Sequence, residues 1–167
     1  MKNRILCILM TLTVACFSGC SFLHKEKEPE ITNAELVLQY IQEKNTDAIY
    51  DMLCEKLQKT PNIKEQIEQT FDFIDGEIIS YDVDHPTSIT AKWAEDKAKI
   101  TMGNSCNPIE TSSGKVYQLV VMYYDQNDFE TELVGIFKIH MVENNQENTD
   151  TDYFSKELII ETQENEE

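Results

Sequence analysis

The sequence predicts an α+β domain in which three N-terminal helices pack on a curved antiparallel β-sheet. Apolar residues recur at helical spacing between residues 32 and 76, and the pattern changes to that of β-strands after Gly76. Helices that precede a run of strands, instead of alternating with them, indicate the α+β class. One amphipathic helical layer must then cover one face of a bent sheet.

The first helix is predicted to begin at Thr32, because Glu35 three residues later completes a capping box. A second begins at about Thr46 and a third at Pro61, since proline suits the first helical position. Gly76 is expected to end the third helix as a left-handed cap. The apolar stripes are Leu36, Val37, Tyr40 and Ile41, then Ile49, Met52, Leu53 and Leu57, then Ile63, Ile67, Phe71 and Ile74.

The second half of the chain predicts strands separated by polar turns. Gly135 inside one strand pattern indicates a bulge or a bend. Residues 103–114, rich in Asn, Ser, Pro and Gly, are expected to form a loop, and residues 125–128 a turn. The strand patterns cover residues 78–84, 88–93, 97–102, 116–124, 129–142 and 154–160.

The beginning of the chain has the pattern of a bacterial lipoprotein signal. Lys2 and Arg4 precede an apolar run that is shorter than the roughly 20 residues of a membrane-spanning helix. The small residues Ser18 and Gly19 then precede Cys20, as a signal peptidase requires. We expect Cys20 to become the first mature residue and to carry lipid.

Two acyl chains on one cysteine give stable anchoring, so the expected location is extracytoplasmic, at the bacterial cell membrane. An ordinary secretory signal cut near Ala15, or an uncleaved anchor, are the alternatives. The expected organisation is a signal peptide (1–19), a lipidated cysteine with a charged tether (20–30), one α+β domain (31–160) and a disordered acidic tail (161–167).

The formal net charge of -17 excludes nucleic-acid binding, because such a surface repels phosphate. Removal of Lys2 and Arg4 with the leader makes the charge more negative by two. The same charge repels anionic lipid head groups and keeps the domain off the membrane. Solubility is the simplest explanation of the acidity, and a cationic partner or a metal ion is the alternative.

Cys7 and Cys16 leave with the leader, so only Cys54 and Cys106 remain in the fold. An exported protein can join them in a disulfide, but a buried free thiol at Cys54 is the favoured interpretation. A catalytic thiolate would need a neighbouring base. No pattern brings such a base to it from the three histidines, His24, His85 and His140.

Helices followed by a curved antiparallel sheet resemble the nuclear transport factor 2-like (cystatin-like) cone. Residues 67–82, with 47–50 and 53–54, are similar to a family of uncharacterised Gram-positive bacterial lipoproteins, the domain of unknown function 5104. The resemblance covers roughly residues 32–142, and its most specific motif is the helix-to-strand junction 71–82. It implies a fold and a location but no activity and no functional residues.

We expect no cofactor and no metal site. Asp82 and Asp84 lie on one side of a predicted strand beside His85, a set that could bind a metal, but a strand end that enters a His-Pro turn explains it without any function and is the favoured interpretation. Residues 125–136 fail as a calcium loop, because Glu130 and Ile136 replace the required Gly and Glu. Strand aromatics could line a hollow or pack in the core: Tyr81, Trp93, Tyr117, Tyr123, Tyr124 and Phe137.

These patterns favour a non-catalytic, membrane-anchored module that binds a small molecule or a protein. An enzyme with acid–base chemistry in the cone cavity is one alternative, and it would need a buried titratable group. An immunity or envelope protein that binds a basic partner through its acidic face is another. The candidate acids and bases of the enzyme hypothesis are Asp82, Asp84, His85 and His140.

Overall fold

The computed structural model describes residues 31–84, 90–144 and 154–162. Within these ranges it contains four helices followed by six strands and one short 3₁₀ helix, which confirms the α+β class. No helix of this described part is long and apolar enough to cross a membrane. The elements are α1 (Asn33–Glu43), α2 (Thr46–Met52), α3 (Glu55–Gln58), α4 (Ile63–Phe71), β1 (Ile78–Asp84), β2 (Thr90–Ala94), β3 (Lys97–Thr111), β4 (Val116–Asn127), the 3₁₀ helix (Thr131–Leu133), β5 (Gly135–Asn144) and β6 (Phe154–Glu161).

The six described strands form one antiparallel sheet in the order β1-β3-β4-β5-β6, with β2 also paired to β3. β1 and β2 lie along the same edge of β3, because β2 pairs with its first part and β1 with its second. Register shifts interrupt every pairing except that of β2 with β3. Such irregularities bend strands and increase their twist.

The hydrophobic core joins the helices to one side of the sheet. On β4, Leu119 and Val121 are fully buried, whereas Val120 between them is half-buried, which is the alternation of a strand with one covered face. Val37 and Leu38 of α1 belong to the same cluster. Burial of side chains of this size is the main source of folding free energy.

The capping box of α1 is present as predicted. The Thr32 N–H donates to Glu35 Oε2 (2.8 Å), and the Glu35 N–H donates to Thr32 Oγ1 (3.2 Å). The second helix begins at Thr46, as predicted, but its expected continuation towards Leu57 was wrong: α2 ends at Met52, and Leu53 and Cys54 are extended. The Cys54 N–H donates to the Ile136 carbonyl of β5 (2.8 Å), so a bond to the sheet replaces the next helical turn.

Two further expectations about the helices are corrected. Pro61 lies outside α4, which begins at Ile63 after Asn62 in the left-handed conformation (φ 59°). Gly76 does have a positive φ of 85°, but the cap of α4 is Asp72. Gly76 instead passes close to the β3–β4 turn, where an added Cβ would lie 2.9 Å from Ser112 Oγ.

The loop expected at residues 103–114 is wrong, because β3 continues to Thr111. Residues 105–106 and 109–110 pair with both β1 and β4, which satisfies their backbone groups, and the polar residues Asn104 and Ser105 are buried. Similarly, β4 continues through the expected turn to Asn127, whose Oδ1 accepts from the Phe129 and Glu130 N–H groups (3.2 and 3.0 Å). The expected strand from residue 129 begins only at Gly135.

Gly135→Ala should destabilise the protein more than Gly114→Ala. Both glycines have positive φ (109° and 81°), so each alanine is strained by about 1–2 kcal/mol. Only at Gly135 would the Cβ meet backbone, 3.2 Å from Cys54 N and 3.3 Å from Met52 O, whereas Gly114 faces open space. The free energy of unfolding should therefore be lower for Gly135→Ala than for Gly114→Ala by about 1–3 kcal/mol. Urea unfolding of both variants measures it, and equal losses would contradict the close approach.

Candidate functional site

A pocket of about 440 Å³ lies where the C-terminal ends of α1 and α4 meet the start of β1. This volume is within the range of small-molecule sites. Its apolar lining is buried or half-buried, and its polar lining is exposed. The apolar part consists of Ile41, Phe71, Ile74 and Ile78, and the remainder of Gln42, Lys44, Gly76 and Glu77.

The wall of the pocket after α4 is attached to the sheet by hydrogen bonds. The Asp75 N–H donates to the Tyr117 hydroxyl of β4 (3.0 Å), and the Glu77 N–H donates to Ser112 Oγ (2.9 Å). The Ser113 hydroxyl donates to the Asp75 carbonyl (2.9 Å). These bonds fix the junction between helix and strand, so the pocket has a defined shape.

Tyr117 supports this wall from within the core. Its ring is fully buried and meets Phe73 edge to face, with the centroids 6.0 Å apart. Burial is the main reason why the pKa of Tyr117 is raised, so its hydroxyl stays protonated at neutral pH. Tyr117, which the sequence allowed either in the core or in a hollow, is therefore a core residue whose hydroxyl supports the wall of the pocket.

The lining of the pocket carries one acidic and one basic residue, Glu77 and Lys44, and the segments around it have an acidic excess. Segments 41–44 and 71–78 contain four acidic residues against Lys44, although Asp75 is paired with Lys115 of the neighbouring turn (3.5 Å). Helix C-termini add partial negative charge, and both α1 and α4 end here. The four acidic residues are Glu43, Asp72, Asp75 and Glu77.

The structure does not bring the predicted acids and bases together. Asp82 and Asp84 are exposed on β1, and Asp84 Oδ2 accepts from the Ser105 hydroxyl (3.0 Å). His140 lies on β5, which β3 and β4 separate from β1 in the sheet, and its Nε2 is 2.8 Å from Glu157 Oε1. His85 is outside the described residues. Asp82, Asp84 and His140 do not line the pocket, and the described residues contain no group of three or more potential metal ligands.

The other strand aromatics also lie outside the pocket lining. Trp93 and Tyr81 are exposed, and Tyr124 stacks on Phe137 with the ring centroids 4.5 Å apart. The aromatic residue of the pocket is Phe71, which the helical stripe had indicated as core. No local pattern marks Gln42, Lys44 or Glu77, because only the fold places the end of α1 beside the start of β1.

Cys54 and Cys106 are both buried and free, so the disulfide alternative is not realised. Burial raises the pKa of both thiols, that of Cys106 to about 12, with smaller contributions from Glu35 and Asp84. A nucleophilic cysteine needs a lowered pKa and access to solvent. Neither cysteine is therefore suited to catalysis.

Fold and site together define a small α+β domain with an open antiparallel sheet and a surface pocket at one helix-to-strand junction. The chain belongs to the family described as Domain of unknown function (DUF5104), whose model matches residues 36–147. The match confirms the family that residues 71–82 indicated. No curated protein matches the chain.

Raising the pH should destabilise the protein through Cys106. The thiol titrates at about 12 when folded, above its ordinary value of 9.0, so between these values the unfolded state releases a proton that the folded state retains. The free energy of unfolding should therefore fall from about pH 9 upwards. Urea titrations at pH 7.5 and 10.5 should show a smaller fall for Cys106→Ala than for the parent. Identical falls would contradict the assigned shift.

Proposed function

We propose that the protein is a bacterial lipoprotein, held at the outer face of the cell membrane by lipid on Cys20, that binds a small molecule without transforming it. The observation that carries the binding role is the pocket between α1, α4 and β1, with its apolar lining and charged rim. Small-molecule sites typically combine such a lining with a few polar groups. Of the candidate acids and bases, the described ones, Asp82, Asp84 and His140, lie outside this lining, which supports binding over catalysis.

The location rests on the leader, which lies outside the described residues. A basic start, a short apolar run and the small residues before Cys20 are typical of lipoprotein signals. A charged tether, residues 20–30, follows the cysteine. With two acyl chains for anchoring, the domain needs no membrane-binding surface of its own.

A nuclear transport factor 2-like cone is the finer description that we propose for the fold. Helices before an antiparallel sheet, and register shifts that bend its strands, support this assignment. A crystal structure superposed on a member of that superfamily would test it. A sheet that stays flat over its whole width would argue against it.

A second candidate function is supported by the charge of the chain. A net charge of -17 favours binding of a basic protein, as an immunity or envelope protein would do through an acidic face. Such binding would weaken steeply with salt, because exposed charges are screened. It would also leave the pocket empty, which separates it from the first proposal.

Cys20→Ser should abolish lipid attachment, and Cys16→Ser should leave it unchanged. Both cysteines lie in the N-terminal segment, but only Cys20 follows the small pair Ser18 and Gly19. The measurement is incorporation of a labelled fatty acid into the full chain expressed in a Gram-positive host, with membrane fractionation. Label that persists in Cys20→Ser, or disappears in Cys16→Ser, would refute the assignment.

Ile74→Lys should remove a ligand that co-purifies with the chain. Ile74 is half-buried in the pocket lining, and a lysine there places a charge in the apolar part. Native mass spectrometry should show an extra mass on the parent that is absent from this variant. Ile159→Lys is the control, because the Ile159 side chain is exposed on β6 and lies outside the lining, and this variant should keep the extra mass. A parent chain without added mass would favour the protein partner.

A further inference from the structure

We propose that the pocket takes an organic cation, a molecule with an apolar body and one positively charged amine. This inference rests on the proposed function, because it names the ligand class of the same pocket. Its two parts, the apolar body and the positive charge, follow from separate observations on the lining.

The apolar body follows from the side chains that form the interior of the pocket. Three half-buried aliphatic or aromatic residues, Phe71, Ile74 and Ile78, join the buried Ile41 there. A ligand that removes this half-buried apolar surface from water lowers the free energy of the complex. Phe71 adds an aromatic ring, whose face attracts a cation.

The positive charge of the proposed ligand is inferred from the charges on the segments that form the pocket. Glu77 is on the rim, and within the described residues no lysine forms an ion pair with it. Two helices end at the pocket, and their last carbonyls carry partial negative charge. The net charge of -17 raises the local concentration of cations further.

Lys44 is the group that opposes a cation, and it makes the inference testable. It ends α1 in the left-handed conformation (φ 53°), and its side chain is exposed on the rim. If the ligand were an anion, Lys44 would be its partner and Glu77 would repel it. For a cation the two roles are exchanged, so substitutions at these residues should have opposite effects.

The experiment compares three probes with one apolar body: 3-phenylpropylamine, 3-phenylpropanol and 3-phenylpropionate. Each is titrated at low salt by calorimetry into the chain from residue 20 onward, with Cys20→Ser to exclude lipid. The amine should bind more tightly than the alcohol, and the alcohol more tightly than the carboxylate. Glu77→Gln should weaken amine binding roughly two- to fivefold, and Lys44→Gln should strengthen it by a similar factor.

Glu132→Gln is the matched control, because it removes the same charge from an exposed residue outside the pocket lining. It should change amine affinity less than Glu77→Gln. All three substitutions are at exposed positions, so the variants should fold, and circular dichroism checks this. An equal effect of Glu132→Gln would overturn the local site in favour of a general charge effect.

The remaining outcomes separate the two proposals. If the carboxylate binds best and Lys44→Gln weakens its binding, the pocket is a ligand site but the cation assignment is wrong. If none of the three probes binds, the small-molecule role fails as well. If amine and alcohol bind equally and Glu77→Gln has no effect, the site is apolar only and the assignment is overturned.

Discussion

Pairing of β3 on both of its edges is the constraint on which the rest of the structure depends. Its first part pairs with β2 and its second with β1, while β4 occupies the other edge along most of its length. Cys106 and Ile109 of this strand belong to the same hydrophobic core as the buried residues of the helices. The pairing also brings the start of β1 to the β3–β4 turn, where the pocket wall is attached.

The helical half of the fold was predictable because its signals are local. The Thr32 capping box and the apolar stripes of α1 and α4 are read within a few residues of sequence. The break at Cys54 was not predictable, because its cause is a hydrogen bond to Ile136, distant in the chain. The continuation of β3 beyond Met102 was missed for the same reason, since its pairing with β4, and from Ser105 also with β1, overrides its polar composition.

The candidate site was less predictable from local sequence signals than the fold was. Sequence reasoning weighed histidines and paired aspartates, which the fold leaves on separate strands. The pocket instead uses Ile74 and Glu77 from the helix-to-strand junction and Lys44 from the end of α1. Ile74 and Glu77 lie within residues 71–82, the stretch that carries the family resemblance, but that resemblance implies no functional role for them.

The attachment of the pocket wall has a consequence for access to the site. Asp75 and Glu77 are held by the side chains of Tyr117 and Ser112 and by one backbone bond from the Ser112 N–H to the Glu77 carbonyl (2.8 Å), before the first paired residue of β1. The wall can therefore open by breaking a few such bonds while the strands stay paired. Entry and exit of a molecule would then be a local opening event, with a free energy well below that of global unfolding.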